Sequence, residues 1–143
     1  MSFYGYDADF PELETSFPGI CNPRDLYEAL LRCWDEETCA PRLRAHWSPR
    51  NPTLGQCSIT AFLVQDLFGG RVFGIPRPDG SFHCYNEAAG QTFDLTSEQF
   101  QGEPLDYRNN PEQRREDHFS KEEKYERYLL LKQRLNALLN PEN

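Results

Sequence analysis

The run CSITAFLVQDLF from Cys57 to Phe68 is apolar around most of a helical circumference, and it stops at Gly69 and Gly70, where the backbone can turn out of a helix without a side-chain penalty. A helix that is apolar on nearly every side leaves no face for water, so it must lie in the middle of a fold. The rest of the chain then has to supply a sheet and further helices to wrap it. With 143 residues, 38% of them hydrophobic, there is material for one core of this kind, and a single domain is expected.

Three short extended pieces follow the apolar run: Arg71 to Ile75, Ser81 to Glu87 and Gln91 to Leu95. Their connections, Pro76 to Gly80 and a turn around Ala88, Ala89 and Gly90, predict a three-stranded antiparallel meander. Helices flank it. Asn22 is placed to cap, Pro23 fits a first helical position and Asp25 suits the positive end of the dipole, with Leu26, Leu30, Cys33 and Trp34 on one face to about residue 35. A terminal helix over 121–139 opens on a capping box of Ser120 and Glu123, shows Tyr125, Tyr128, Leu129, Lys132, Leu135, Leu138 and Leu139 at helical spacing, and closes at Pro141. Residues 41–55 read as a proline-punctuated connection, Thr96 to Gln99 as a short capped helical turn, and 101–119 as a polar surface loop.

The expected fold class is therefore α+β, with a buried central helix packed on three antiparallel strands and flanked by helices, over a domain of residues 21–143. Residues 1–20 form an irregular arm, because Pro11, Pro18 and Gly19 interrupt Phe3, Tyr4, Tyr6, Phe10 and Phe17. The sequence leaves open whether that arm is loose, docks on the domain or docks on a second subunit. The arm and the terminal helix are the two segments through which a homodimer could form.

Fifteen Lys and Arg against 23 Asp and Glu give a net charge of −8, which repels phosphate backbones and anionic membranes, so neither nucleic acid nor membrane is an expected partner. No stretch of about 18 apolar residues occurs, and the start, Met1 to Asp7, lacks the basic and then apolar order of a signal peptide. Five cysteines at irregular spacing suit reduced thiols rather than a disulfide framework. A soluble, cytoplasmic protein is expected.

Three residues stand out for chemistry. Cys57 falls in the first turn of the buried helix, where unpaired amides and the dipole favour thiolate and can also receive an oxyanion. His83 lies in the second strand and Asp94 in the third. Any even-length turn between these strands gives paired positions an odd sum, so His83 and Asp94 share a face, directly opposite across a four-residue turn and diagonal across a two-residue one. A thiol, an imidazole and a carboxylate in that relation are the parts of a nucleophile, its base and its orienter.

The order of Gly55 and Cys57 at the head of an apolar helix, His83 with Tyr85 two residues on, and Asp94 ending a strand resembles the core of transglutaminase-like and papain-like thiol enzymes. The 26 positions from Cys57 to His83 and 11 from His83 to Asp94 fit a minimal transglutaminase-like core better than a papain-like one. Over a longer span, four blocks in order resemble the YunG-like family of bacterial proteins: Asn51 to Cys57, Val64 to Gly70, His83 to Asn86 and Phe93 to Phe100. That resemblance, running from Arg24 to Leu135, implies a bacterial source and a fold rather than an activity.

Around the triad, Gln56 is a candidate oxyanion donor, and Trp47, Tyr85 and Asn86 are candidate cleft residues, each with an ordinary packing or hydrogen-bonding role as the alternative. Asn86 has strand parity opposite to His83. Zinc on Cys57, His83, Cys84 and Asp94 is disfavoured because His83 and Cys84 point to opposite strand faces and no paired ligand spacing occurs. No metal or other cofactor is expected. The expected function is cysteine-dependent hydrolysis, transfer or deamidation of an amide or ester in a peptide, protein or small molecule. The alternative is a binding module that keeps the architecture without the chemistry.

Overall fold

The computed structural model describes residues 2–141. It contains four α-helices, α1 (Pro23–Leu30), α2 (Cys57–Phe68), α3 (Arg115–Phe119) and α4 (Glu122–Leu139). Between α2 and α3 lie three strands, β1 (Arg71–Pro76), β2 (Phe82–Ala88) and β3 (Gln91–Phe93), paired antiparallel in the order β1-β2-β3. The class is α+β, as the sequence predicts.

The central helix behaves as its composition requires. Seven consecutive residues, Ser58 to Val64, are buried, which takes in the full circumference, and α2 packs against both β2 and α4. Strand β2 is covered on both faces, with His83, Cys84, Tyr85 and Asn86 all buried. Asn86 faces α2, where its Nδ2 donates to the Ala61 carbonyl at 2.9 Å, while His83 lies edge-on to Phe100 and Tyr85 to Tyr107.

The segment 101–119 is more than a surface loop. The Gly74 amide donates to the Pro111 carbonyl at 2.9 Å and the Gln113 amide to the Val72 carbonyl at 2.8 Å, so this segment lines the free edge of β1 before α3 begins. Gly74 allows the close approach, since a Cβ would lie 2.8 Å from the Gln113 side chain, which would have to shift. An edge strand with unpaired amides needs such a cover, which polarity along the sequence does not reveal.

The terminal helix sits at the predicted place but turned about its axis. Arg127, Tyr128, Leu131 and Leu135 are its buried residues, whereas Tyr125 and Leu129, expected on the packed face, are exposed. The turn follows from its anchors: Arg127 donates to the Thr38 carbonyl and Arg134 to the Cys33 carbonyl, which orients the helix toward the connection after α1. The predicted capping boxes do not form. Ser120 Oγ donates to the Asp117 carbonyl instead, and Thr96 Oγ1 donates to Asp94, although the short 3-10 turn Ser97–Phe100 is present. Asn22 does cap α1, accepting from the Asp25 amide at 3.0 Å; the α-helix ends at Leu30, short of residue 35.

The aromatic arm is docked. Phe3, Phe10 and Phe17 are buried in the same cluster as Leu26, Phe62 and Phe93. Arg24 holds the arm from outside, donating to the Tyr6 and Ala8 carbonyls and lying over the Phe10 ring. The Tyr4 carbonyl accepts from the Asp94 amide at 2.9 Å, so the arm takes over as the pairing partner where β3 ends. Among the described residues, no helix is long and apolar enough to cross a membrane.

Candidate active site

Cys57 is the first residue of α2 and is half-buried. Gly55 permits the sharp entry: its φ of +71° is left-handed, and a Cβ would meet the Cys39 Sγ at 2.5 Å. The first backbone hydrogen bond into the helix runs from the Thr60 amide to the Gln56 carbonyl, and no side chain caps the terminus. The amides of Cys57, Ser58 and Ile59 therefore have no acceptor among the described residues. A cleft of about 810 Å³ opens over this helix end, lined there by Gly55, Cys57, Ser58 and Gln99.

The hairpin turn between β2 and β3 has two residues, Ala89 and Gly90, both at positive φ, which matches the primed turns that suit strand twist. The register pairs Asn86 with Phe93, so Asp94 stands diagonal to His83, one of the two arrangements the sequence allowed. The two side chains meet: His83 Nε2 lies 2.6 Å from Asp94 Oδ2, and each side chain is only 1% exposed. Tyr107 Oη donates to the same carboxylate oxygen at 2.8 Å, while Thr96 donates to Oδ1 through its amide and its hydroxyl. With four donors on it, the carboxylate cannot swing away.

That arrangement leaves His83 Nδ1 as the ring nitrogen free for the thiol, with Gln99 Nε2 standing 3.5 Å away. Burial opposes the charged imidazole, but the Asp94 charge and hydrogen bond, helped by Cys57, outweigh it and push His83 up to about 10. Cys57 shifts the other way. Its thiol is held well below the ordinary value by a hydrogen bond from Cys84 and by His83, against the opposing effect of burial. Its Sγ also lies 3.8 Å from the Phe82 carbonyl. Cys84 is raised by its hydrogen bond to Cys57 and by burial. The two shifts reinforce each other, each favouring the charged form of its partner.

The structure thus brings Cys57, His83 and Asp94 together, and it moves the other four candidates elsewhere. Gln56 is fully buried and its Nε2 donates to the Asp35 carbonyl at 3.1 Å, so that amide is not available to an oxyanion; its Oε1 has no partner. Trp47 does not line the cleft, because its indole is drawn to the Pro52 carbonyl at 3.0 Å. Tyr85 is buried behind His83, where its hydroxyl donates to the Tyr107 carbonyl and accepts from Asn110. Asn86 belongs to the contact between β2 and α2 and not to the cleft.

Residues the sequence did not single out complete the site. Tyr107, Thr96 and Gln99 come from the segment after β3, and Cys84 reaches Cys57 from the strand face opposite His83, as parity requires. Of these, Thr96 alone has a local signal that could have found it: an acidic side chain two residues before its amide, the spacing of an Asx-type turn. As for metals, Glu12, Cys21 and Asp25 bring ligand atoms within 4.8 Å of one another, but at the start of α1, where Asp25 accepts from the Cys21 amide and Glu12 from Asn22.

A family model described as YunG protein matches residues 22–140. A Bacillus subtilis (strain 168) protein named "Uncharacterized protein YunG" is 46% identical over 70 residues, which is 49% of this chain and 59% of that protein. The match therefore spans less than two thirds of the relative's length. No solved structure matches significantly. Since residues 22–140 take in α1 to α4 and all three strands, with Cys57, His83 and Asp94 among them, the chain belongs to the YunG protein family.

Proposed function

We propose that this protein performs thiol-dependent acyl chemistry, the hydrolysis, transfer or deamidation of an amide or ester, with Cys57 as nucleophile, His83 as proton carrier and Asp94 as the group that orients the imidazole. The observation that carries the reading is the buried His83–Asp94 pair at 2.6 Å, which leaves Nδ1 for a thiol at the head of α2. The order of a helix-head cysteine, a strand histidine and an aspartate just past a strand end resembles that of transglutaminase-like and papain-like thiol enzymes, and this likeness is part of the proposal. Five free thiols suit a reducing cytoplasm.

In the first half of the reaction the Cys57 sulfur bonds to the carbonyl carbon, and the carbonyl electron pair moves to oxygen, facing the free amides of Cys57 and Ser58. His83 gives its Nδ1 proton to the leaving nitrogen or oxygen as that bond breaks, leaving a thioester on Cys57. Water or an amine then attacks the thioester, gives its proton to His83, and Cys57 departs as thiolate. Charges and protons return to the starting state without a cofactor.

The test is the pH dependence of iodoacetamide alkylation at Cys57, followed by peptide mass spectrometry in wild type and His83→Ala. Cys21, also half-buried, is the internal reference. An apparent pKa below the free-thiol value of about 8.5, lost in the variant, supports the enzyme reading. A Cys57 no faster than Cys21 and indifferent to His83 would leave a binding protein with this architecture.

A further inference from the structure

We infer that the cleft over Cys57 contains an anion subsite centred on Lys124, so that the compound processed here is a small acyl compound carrying a carboxylate near the bond to be broken. This rests on the reading of Cys57 as nucleophile. The wall of the cleft made by α3 and the start of α4 departs from the acidic balance of the whole chain, whose net charge is −8. Arg114, Lys121 and Lys124 line it with no ion-pair partner among the described residues, whereas Arg127 is engaged by Glu123 and Arg42 by Asp79.

Lys124 differs from its neighbours in being half-buried and aimed. Its Nζ donates to His118 Nδ1 at 3.0 Å, His118 Nε2 donates to Gln113 Oε1 at 2.9 Å, and Gln113 is held by its backbone amide on the Val72 carbonyl of β1 at 2.8 Å and by its Nε2 on the Pro111 carbonyl at 3.3 Å. Such a relay needs a neutral histidine with its proton on Nε2, and burial together with Lys124 holds His118 down at about 4. An ammonium has three N–H donors, and one is used. Two remain in a cleft they share with Cys57.

A cation drawn part-way out of water without a carboxylate beside it is disfavoured: burial lowers the Lys124 pKa, and the facing Cys84 and Cys57 offset this only in part. The unpaired acids on the same wall, Glu112 and Asp117, are exposed and do not bond to it. An incoming carboxylate would supply the missing acceptors and a counter-charge in direct contact with the ammonium. The cleft, at about 810 Å³, falls in the range of small-molecule pockets.

Iodoacetate and iodoacetamide give the test, since they differ only in a carboxylate against a carboxamide. Each reacts in one step: the Cys57 sulfur bonds to the methylene carbon, the carbon–iodine bond breaks and iodide leaves. Rates at Cys57 are measured on the full chain at neutral pH and low salt, with N-acetylcysteinamide as the reference thiol. The ratio of iodoacetate to iodoacetamide rates should exceed that of the reference thiol by about tenfold, the size of one charge-assisted contact. It should fall toward the reference in Lys124→Gln, recover in Lys124→Arg, and stay at the wild-type value in Lys132→Gln, where the lysine lies beside Asp66 instead of in the cleft.

A reference-like ratio in wild type, or a ratio that Lys124→Gln leaves unchanged, overturns the subsite. Brisk reaction with iodoacetamide alongside such a ratio overturns it alone. Slow reaction with both reagents removes the nucleophile and the subsite together.

Discussion

Two ion pairs of the same length sit beside α2, and they do different things. His83 and Asp94 are 2.6 Å apart near its first turn with 1% of each side chain exposed; Arg115 and Asp66 are 2.6 Å apart near its last turn with 34% and 23% exposed. The exposed pair is a clip. Arg115 lies over Phe62, Phe119 and Tyr128, and Tyr128 donates to Asp66, so the cluster joins α2, α3 and α4 where water still screens it. In the buried pair the charges act on each other and on a thiol with little screening, and there His83 is pushed up and Cys57 down. Separation alone does not set the role of an ion pair; its exposure to solvent does.

The contrast is most sharply tested by removing one carboxylate. Asp94→Ala strands His83, Tyr107 and Thr96 in the interior and should cost about 3–5 kcal/mol in urea unfolding. A loss under about 1 kcal/mol would place the buried pair on a par with the exposed one.

A second test separates the proton on His83 from that on Cys57. His83 rises from 6.5 to about 10 on folding, so its contribution is complete below pH 6.5 and is lost as pH climbs toward 10. Cys57 falls from 9.0, so its contribution is present above pH 9.0 and is lost as pH drops through its folded value. At pH values above both 6.5 and the folded Cys57 value, and below 9.0, the folded pair keeps a proton on His83 while the unfolded chain keeps one on Cys57, and the two slopes oppose each other. Wild-type stability should therefore be nearly flat there, whereas Cys57→Ala should lose up to about 1.4 kcal/mol per pH unit as pH rises. Parallel curves for the two proteins would mean that no thiolate–imidazolium pair forms.

Smaller effects sharpen the picture further. Tyr107→Phe removes one donor from the Asp94 carboxylate and should cost about 1.5 kcal/mol by thermal or urea melting. Arg115→Ala should cost about 1 kcal/mol, because solvent discounts the pair, and this cost should shrink in 1 M salt while that of Asp94→Ala persists. A salt-insensitive Arg115→Ala would show that the stacking on Phe62 and Tyr128, and not the charge, holds the clip.

Periodicity and end signals along the chain carry information about faces and boundaries, and the triad depends only on those. A helix start at Cys57 and an even-length turn after β2 were enough to bring Cys57, His83 and Asp94 into one region. What lies on top of a face is another matter. Tyr107, His118 and Lys124 reach the site from a proline-containing stretch and from helices whose spacing says nothing of their neighbours. Gln56 shows the reverse error: adjacency to Cys57 suggested a role, but a helix entry turns successive side chains in different directions, and the Asp35 carbonyl claims this one. The turned face of α4 has the same origin, since Leu129 and Leu131 have equal claims until Arg127 and Arg134 find their carbonyls.

The bridge between Tyr4 and Asp94 joins residues 90 positions apart, and it sets an order on the making of the protein. Tyr4 leaves the ribosome long before its partner exists. At about 5–20 residues per second the delay is roughly 5 to 20 s. Throughout that interval Phe3, Phe10 and Phe17 belong to a nascent chain with no finished core to receive them. The arm that pairs with Asp94 is thus made well before the segment it pairs with, and it cannot settle until that segment has emerged.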